Sequence, residues 1–478
     1  MDKTQLAVVG AGPAGVSAAV EAARLGVQVT LIDEHPVELA LMGQEIPLHF
    51  GQRMITTVSN KAEMLTRVVA ASPMLQTAED AGVDIRLGTM VWDSSRDKVL
   101  ALADDTRSWR LGYEAVVFAS GARDLGIAFP GWERAGVTGA GGLLTLLDKY
   151  QAFSGQRIAI LGSGALGLHV ARRAIERGVE VACIVDISPE ARGQGDLEER
   201  LVKEGVPFYL SHTVKEAKGD TEVTSLIIGS DGDDKEIECD TICLAIGLVP
   251  SIELIYWIGC QIQFDQQRGG FVPLVEKNMQ TTYKEIFVAG DAAGFDEEQF
   301  INSEVAATQG RIAAISAAQH LGAIDEGKAD ILKSEMAVPA STASSDSIEY
   351  RQAWIQSIEA GDITSVPICI CEEVTHGDLS SMMERGPTHP DHLKRLTRAG
   401  MGYCQGRRCR EQIQILTSQF MDVDVGQVEL ASYRPPFRPL PLGLIQNRDL
   451  SPEEEDSLFA EWHRQMREEY LHGTDTRD

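Results

Sequence analysis

The sequence predicts an α/β protein with two dinucleotide-binding units, followed by a small module built around cysteines. Three observations carry this expectation. A strand, a glycine loop and a helix follow one another at Gly10. The pattern recurs at Gly162. Four cysteines then stand in two close pairs, Cys369-x-Cys371 and Cys404-x4-Cys409. Dinucleotide loops bring in two-electron redox cofactors. Paired thiolates in an intracellular chain hold a metal or cluster more often than a disulfide. Together these features point to electrons moving from a hydride-accepting flavin to a one-electron iron–sulfur centre.

Size and charge bound the rest. A chain of 478 residues is too long for one core, and several domains are expected. Hydrophobic residues at 44% and charged residues at 24% are ordinary for a soluble globular protein. A net charge of −28 argues against nucleic acid or an anionic membrane surface as partner. The N-terminus runs into a strand without the basic and apolar stretches of a signal peptide. No apolar run reaches the ~18 residues of a membrane span. A cytoplasmic location is therefore expected, with the eight cysteines reduced or metal-bound. Cys183, Cys239, Cys243 and Cys260 read as small core residues, because free cysteine is commonly buried and inert.

At the first loop, Leu6–Gly10 is a short apolar strand and Gly10-Ala-Gly12-Pro13-Ala14-Gly15 follows at once. An alanine-rich helix comes next, then a strand, Val27–Ile32, ending at Asp33-Glu34. Gly10 allows the tight turn, Gly12 lets backbone approach a pyrophosphate, and Gly15 lets helix and strand pack closely. The helix N-terminus meets phosphate with free N–H groups and its positive dipole end. Asp33 or Glu34 is expected to accept from ribose hydroxyls.

The second loop repeats the arrangement. Arg157–Leu161 is the strand, Gly162-Ser-Gly164-Ala-Leu-Gly167 the loop, and Val179–Val185 the strand ending at Asp186. An acid there would repel a 2′-phosphate, so the expected ligand is NAD or another adenine nucleotide lacking that group. A duplicated unit can also keep its glycines for packing or hold a static nucleotide, and both readings stay open.

Thr281 to Asp291 reads as a strand ending in Gly290-Asp291. It resembles the second flavin motif of two-dinucleotide-domain flavoproteins, whose aspartate meets the ribityl chain. The following helix, near Asn302–His320, can aim its N-terminus at the flavin. Two strand-to-glycine segments, ending at Gly121 and Gly247, match the returns between domains. The FAD-binding domain is then split over 1–125 and 250–325, with a second nucleotide-binding domain at 126–249. The FAD set is Gly10, Gly12, Pro13, Ala14, Gly15, Asp33, Glu34, Gln44, Gly121, Gly290 and Asp291. The second set is Gly162, Gly164, Gly167 and Asp186.

A polar stretch within 326–364 reads as a linker separating two modules. The cysteine module occupies 365–425. Lys394, Arg395, Arg398, Arg407, Arg408 and Arg410 fall beside its thiolates, in a chain otherwise rich in acid. Cations offset the negative charge of four thiolates around two ferric ions. Zinc is the alternative, but its usual spacing is C-x2–4-C rather than C-x-C. A [2Fe–2S] cluster on Cys369, Cys371, Cys404 and Cys409 is expected. Residues 426–478 form an extended proline-rich arm, Arg434–Leu442, and a C-terminal helix with Leu458, Phe459, Trp462, Met466 and Tyr470 on one face. Both suit docking on another surface, the protein's own or a partner's.

With these residues in place, nearly the whole chain resembles the FAD- and iron–sulfur-containing subunit of heteromeric dehydrogenases acting on amino acids and opines. That group includes the A subunits of octopine and nopaline oxidases, hydroxyproline dehydrogenase and the B subunit of hydrogen cyanide synthase. It is related to the sarcosine oxidase α subunit. The matching segments are the Gly10–Gly15 loop, Phe129-Pro-Gly-Trp132, Gly290-Asp291, Leu396 to Arg407 and the Arg434–Leu442 arm. The resemblance implies a Rossmann-like flavoprotein of the glutathione/thioredoxin reductase kind, with a C-terminal bacterioferritin-associated-ferredoxin-like [2Fe–2S] domain. It implies FAD at the first loop and leaves room for FMN at a subunit interface. Its partner would be an amino-acid-oxidase-like flavoprotein that oxidises the C–N bond. A further small iron–sulfur subunit is a second candidate. One segment departs from the family: the usual Pro-Gly-Gly-Gln turn is replaced here by a stretch in which only Gly43-Gln44 is recognisable.

The chain shows no nucleophile, acid–base dyad or carboxylate clamp, so no catalytic residue is assigned. His49, His169 and His376 read as structural. Relay of electrons for a partner is the leading expectation, and a self-sufficient NADH-dependent FAD/[2Fe–2S] reductase is the alternative. A scaffold with a static second nucleotide is the third.

Overall fold

The computed structural model describes residues 1–36, 61–193, 196–230, 232–295, 303–336, 347–386 and 388–446. Gln44, His49 and the Leu458–Tyr470 stripe lie outside the described residues.

The apolar strand Asp2–Val9 is the centre of a seven-stranded sheet, flanked in parallel by Val29–Ile32 and Ser108–Phe118. Asp84–Arg86 extends one side, and the antiparallel pair Met90–Ser95 and Val99–Ala103 extends the other. Ile286–Val288, far along the chain, pairs with Ser108–Phe118. The first sheet therefore closes only after the second domain has been inserted. Helices Pro13–Arg24 and Ser303–His320 pack together beside it, at a spacing set by Gly310, where an added Cβ would stand 2.0 Å from the Ala14 carbonyl oxygen. Small residues at the crossing let the two helices approach closely enough to bury their alanine faces.

The inserted domain has a parallel five-stranded sheet, in the order Phe208–Tyr209, Glu180–Val185, Arg157–Leu161, Thr241–Leu244, Val137–Gly139. An antiparallel three-stranded sheet, Thr213–Lys218, Ser225–Ser230 and Asp233–Glu238, packs against it. The two domains are joined by a short antiparallel pair, Ala122–Asp124 with Leu248–Pro250. That crossing sets one sheet's strand ends against the other's, the usual place for a ligand in open α/β folds.

The stretch expected as a linker is largely structured. Glu326–Ser334 and Ser347–Glu359 are helices, and Tyr350, Arg351, Trp354, Ile355 and Ile358 of the second are buried. Arg351 donates to the carbonyl oxygens of Gly269 and Leu248. The polar run 337–346 that suggested a linker lies outside the described residues, and the helix after it is built in because Arg351, though polar, has its partners in the core.

Nor is the cysteine module a tethered appendage. It comprises Pro367–Cys369, Val374–Thr375 and helices His376–Glu384, Pro390–Thr397 and Arg410–Met421. It shares one hydrophobic core with the inserted domain, running from Phe129 and Trp132 to Cys369, Leu379 and Leu416. The Phe129-Pro-Gly-Trp132 segment is its seat: Trp132 Nε1 donates to the Pro367 oxygen at 2.7 Å.

The arm also folds back on its own body. Tyr433 and Phe437 are buried beside Ile252, Tyr256 and Trp257, and the Phe437 N–H donates to the Trp92 oxygen at 3.0 Å. Among the described residues, the arm is thus engaged within the chain rather than held out for a partner. No helix among them is long and apolar enough to cross a membrane.

Candidate cofactor sites

The junction of the two domains holds a cavity of about 770 Å³. Gly10, Ala11, Gly12, Asp33, Glu34, Gly121 and Asp291 line it from the first domain. Gly10 has φ +105° and no room for a side chain, since a Cβ would meet the Ala119 oxygen at 2.2 Å. Gly12 differs: nothing lies within 4 Å of its added Cβ, so the open space in front of it belongs to the cavity. Gly15 is sealed against Gly10, Pro13 is exposed at the first helical turn, and Ala14 is buried. Gly290 turns beside Ala14, and its N–H donates to Gln309 at 2.8 Å. The set fits an adenine dinucleotide: a helix N-terminus with open backbone, an acid beyond it and a second acid, Asp291, further along the wall.

The two acids at the end of the second strand have separate tasks. Asp33 Oδ2 accepts from the Ala11 N–H at 2.5 Å and Oδ1 from the His35 N–H at 2.8 Å, while part of the group still faces the cavity. Glu34 accepts from Arg438 Nε of the arm at 2.7 Å. Asp33 is thus tied to its own loop at the cavity wall, while Glu34 is tied to the arm.

At the second loop the residues expected to meet a nucleotide lie away from the cavity. Gly162, Gly164, Gly167 and Asp186 are all buried, and none lines the cavity. Asp186 has no exposed surface. Its Oδ2 accepts from Ser163 N at 2.7 Å, Ser163 Oγ at 2.6 Å and Tyr350 Oη at 2.6 Å, and its Oδ1 from Ser188 N at 2.9 Å. Arg192 stacks its guanidinium 4.0 Å from the Tyr350 ring centre, and the Gly193 N–H donates to the Ser163 oxygen at 2.9 Å. Burial and the adjacent Asp186 charge both push the Tyr350 hydroxyl pKa well up, which keeps it a donor. The loop is filled by the protein's own side chains.

The cysteines converge as two pairs. Cys371 and Cys404 are hydrogen-bonded, as are Cys369 and Cys409, and all four are free thiols. In each pair the hydrogen bond favours the thiolate of one partner, Cys404 in one and Cys369 in the other. The Gly400 N–H reaches Cys369 Sγ at 3.5 Å. Among the described residues, no group of three or more candidate ligands is arranged around a single ion. The four cysteines together offer the four thiolates that a [2Fe–2S] cluster takes. The remaining cysteines, Cys183, Cys239, Cys243 and Cys260, are buried and form no disulfide.

The two sites adjoin. Cys404, Arg407 and Arg408 line the same cavity as Gly10 and Asp291. Gly126, on the connection between domains, lets the cluster loop in, because a Cβ there would meet the Arg408 oxygen at 2.3 Å. Arg408 lies 4.5 Å over the Trp132 ring. Arg123 binds Glu411 of the cysteine module and lies 3.4 Å from Glu253, and all three side chains are buried or nearly so. Burial is the largest effect on Glu253 and opposes its ionisation, but Arg123, Arg438, a backbone hydrogen bond and Arg407 together outweigh it and hold the carboxyl below its ordinary range. The helix Ala140–Leu144 faces the cavity with Gly141 and Gly142, whose N–H groups donate to Asp124, and carries no cysteine. Of the histidines read as structural, His169 lines the cavity wall, with burial lowering its pKa, and His376 bonds Glu359 at 3.1 Å.

Arg123, Arg438 and Tyr350 carry no local signature in the sequence. Ser163 does carry one, because a serine stands inside the second glycine loop where the first has alanine.

Comparison with known proteins agrees with this geometry. Residues 367–417 match the BFD-like [2Fe-2S] binding domain. The A subunit of opine oxidase from Agrobacterium tumefaciens (strain Ach5) is 27% identical, covering 92% of this chain and 91% of that protein. The HcnB subunit of hydrogen cyanide synthase from Pseudomonas aeruginosa is 28% identical, covering 92% and 98%. Among solved structures, L-proline dehydrogenase from P. horikoshii shares the fold with a TM-score of 0.65 at 19% identity, over 93% of this chain and 79% of that one. Residues 4–322 match the pyridine nucleotide-disulphide oxidoreductase family, and the chain belongs to that family, as an FAD-dependent oxidoreductase that carries a [2Fe–2S] domain.

Proposed function

We propose that this chain is the electron-relay subunit of a heteromeric FAD-dependent dehydrogenase acting on the C–N bond of an amino acid, opine or related amine. One observation carries the reading: Cys404 shares the wall of the cavity lined by Gly10, Gly12, Gly121 and Asp291. A flavin held by those residues would lie beside a cluster held by Cys369, Cys371, Cys404 and Cys409. FAD supplies a two-electron acceptor that can release electrons singly, and the cluster accepts one at a time. The chain's own residues hold and separate charge. The Gly10 loop offers backbone N–H groups to the diphosphate, Asp33 meets the ribose, and Arg407 and Arg408 offset the thiolates. Cys371 and Cys404 would ligate one iron, and Cys369 and Cys409 the other.

The NADH-dependent alternative has less support, because Ser163 and Tyr350 already occupy Asp186. In this reading the second unit is a platform for the cluster. The substrate-oxidising partner is an amino-acid-oxidase-like flavoprotein. Additional components are an interface FMN and a further small iron–sulfur subunit. Cysteines that form no disulfide, four of them set to ligate a cluster, suit a cytoplasmic location.

Anaerobic mixing of the purified chain with NADH is expected to leave the flavin oxidised on the seconds timescale. Dye-linked amino-acid or opine oxidation should appear only on co-production with the partner flavoprotein. Rapid bleaching by NADH, or robust oxidation by the isolated chain, would overturn the relay reading.

A further inference from the structure

We infer that the arm from Ser432 to Leu440 is a strap across the FAD site, and that Arg438 is a binding residue for the adenosine diphosphate half of FAD. The inference rests on FAD binding at the Gly10 loop and not on the relay reading.

The strap is fixed at both ends. At its start, Lys394 Nζ donates to the Ser432 oxygen at 2.8 Å, and the Arg410 guanidinium stacks 3.6 Å from the Tyr433 ring centre. Both contacts come from the cysteine module. In the middle, Tyr433 packs edge-on against Tyr256 at 5.4 Å and Phe437 against Trp257 at 6.0 Å. The Phe437 N–H then joins the first sheet at Trp92. These anchors leave the next residue, Arg438, little choice of direction. Its guanidinium lines the cavity and is held by Glu34, the neighbour of Asp33.

Charge explains why such a residue is needed. The first-domain wall of the cavity presents Asp33, Glu34 and Asp291, in a chain of net charge −28. A diphosphate brings about two more negative charges, and a helix N-terminus offers only about half a positive charge. The other arginines on the wall are turned to other partners: Arg123 to Glu411, Arg173 and Arg177 to Asp148, Arg407 to the Cys404 oxygen and Arg408 to the Trp132 ring and oxygen. Arg438 brings a full, planar positive charge beside Asp33, and Glu34 orients it. Only a folded arm delivers that charge, so flavin retention depends on a residue some 400 positions from the glycine loop.

The test uses the full chain, stripped of flavin and titrated with FAD by fluorescence quenching, with ADP as a competitor. Arg438→Ala should weaken FAD and ADP by the same factor, tenfold or more, while the melting temperature of the flavin-free protein stays within a degree or two of the parent. The stabilisation on adding FAD should shrink accordingly. Unchanged FAD affinity would overturn the inference, as would a loss for FAD with none for ADP. Should the alanine variant fail to accumulate, Arg438→Lys and Arg438→Gln separate charge from bulk. Lysine, which keeps the charge but not the planar fork, is expected between the parent and glutamine, with glutamine tenfold weaker than the parent, and equal affinities for the two would refute a charge contact.

Discussion

The two glycine loops are near copies in backbone and opposites in use. Gly10 and Gly162 have φ of +105° and +110°, and each lies under a carbonyl oxygen of the return strand, that of Ala119 or Ala245. Gly15 and Gly167 are pressed against Gly10 and Gly162 in turn. Even the acids match: Asp33 accepts from Ala11 N and His35 N, and Asp186 accepts from Ser163 N and Ser188 N. The difference lies in what else reaches the carboxylate. Asp33 faces the cavity, whereas Asp186 meets two hydroxyls, from Ser163 and Tyr350, where a ribose would offer its diol. A glycine fingerprint thus reports how a helix crosses a strand. Whether a nucleotide binds is decided by what already fills the acid's remaining lone pairs.

The largest effect should come from Gly12→Val. An added Cβ meets no protein atom within 4 Å, so the fold should survive while the space in front of the loop is filled. Purified protein should be nearly colourless, with flavin content below about a tenth of the parent at unchanged cluster absorbance. A variant retaining full flavin would break the distinction between an open and a closed loop.

Next in size is the link that sets the cluster against the open side. Arg123 joins the return segment to Glu253 and Glu411 in a buried group. Arg123→Ala leaves two carboxylates uncompensated and should cost about 3–5 kcal/mol. The loss depends on pH with a definite sign. Glu253 titrates below its ordinary range in the folded protein. Its contribution is therefore fully present above the unfolded value of about 4.3 and disappears as pH falls through the folded pKa. Denaturation curves of parent and variant should converge toward acid pH, and a constant gap across that range would contradict the assignment.

How much of this was legible in the chain follows from locality. The two loops, their strands and the four cysteines each lie within a short window, where period, glycine spacing and thiol spacing are direct signals. The module boundaries were harder. Ser347–Glu359 falls in the span read as a linker, and the partners that bury its Arg351 and Tyr350, namely Gly269, Leu248 and Asp186, lie 82 to 164 positions away. The arm's destination is likewise set by Trp92 and Glu34, which no local pattern ties to Phe437 and Arg438. The dense packing of the cysteine module against Trp132 also changes an expectation read from sequence. Replacing Cys369 or Cys409 should disturb the shared core and lower flavin content along with iron, rather than iron alone.

Asp186 is the sharper probe of the closed loop. Asp186→Ala strands two backbone N–H groups and two hydroxyls in a fully buried place, at about 3 kcal/mol in sum even if some reorganise. Cluster content should fall with stability, while flavin affinity per folded molecule holds. Greater sensitivity of flavin than of stability would mean that the second loop serves a nucleotide after all.

The smallest expected effect tests the same point most finely. Tyr350→Phe removes one hydroxyl from Asp186 and keeps the ring under Arg192. Three donors remain on the carboxylate, so the cost should be near 1 kcal/mol, a fall of about 2 °C in melting temperature. The flavin and cluster spectra should not change, because Tyr350 lines neither site. Adding NAD or ATP discriminates further. If the hydroxyl only seals the loop, its loss leaves a gap one atom wide, and neither nucleotide should raise the melting temperature of parent or variant. Were either to stabilise the variant and not the parent, Tyr350 would be a gate over a competent site rather than a permanent substitute for the ribose.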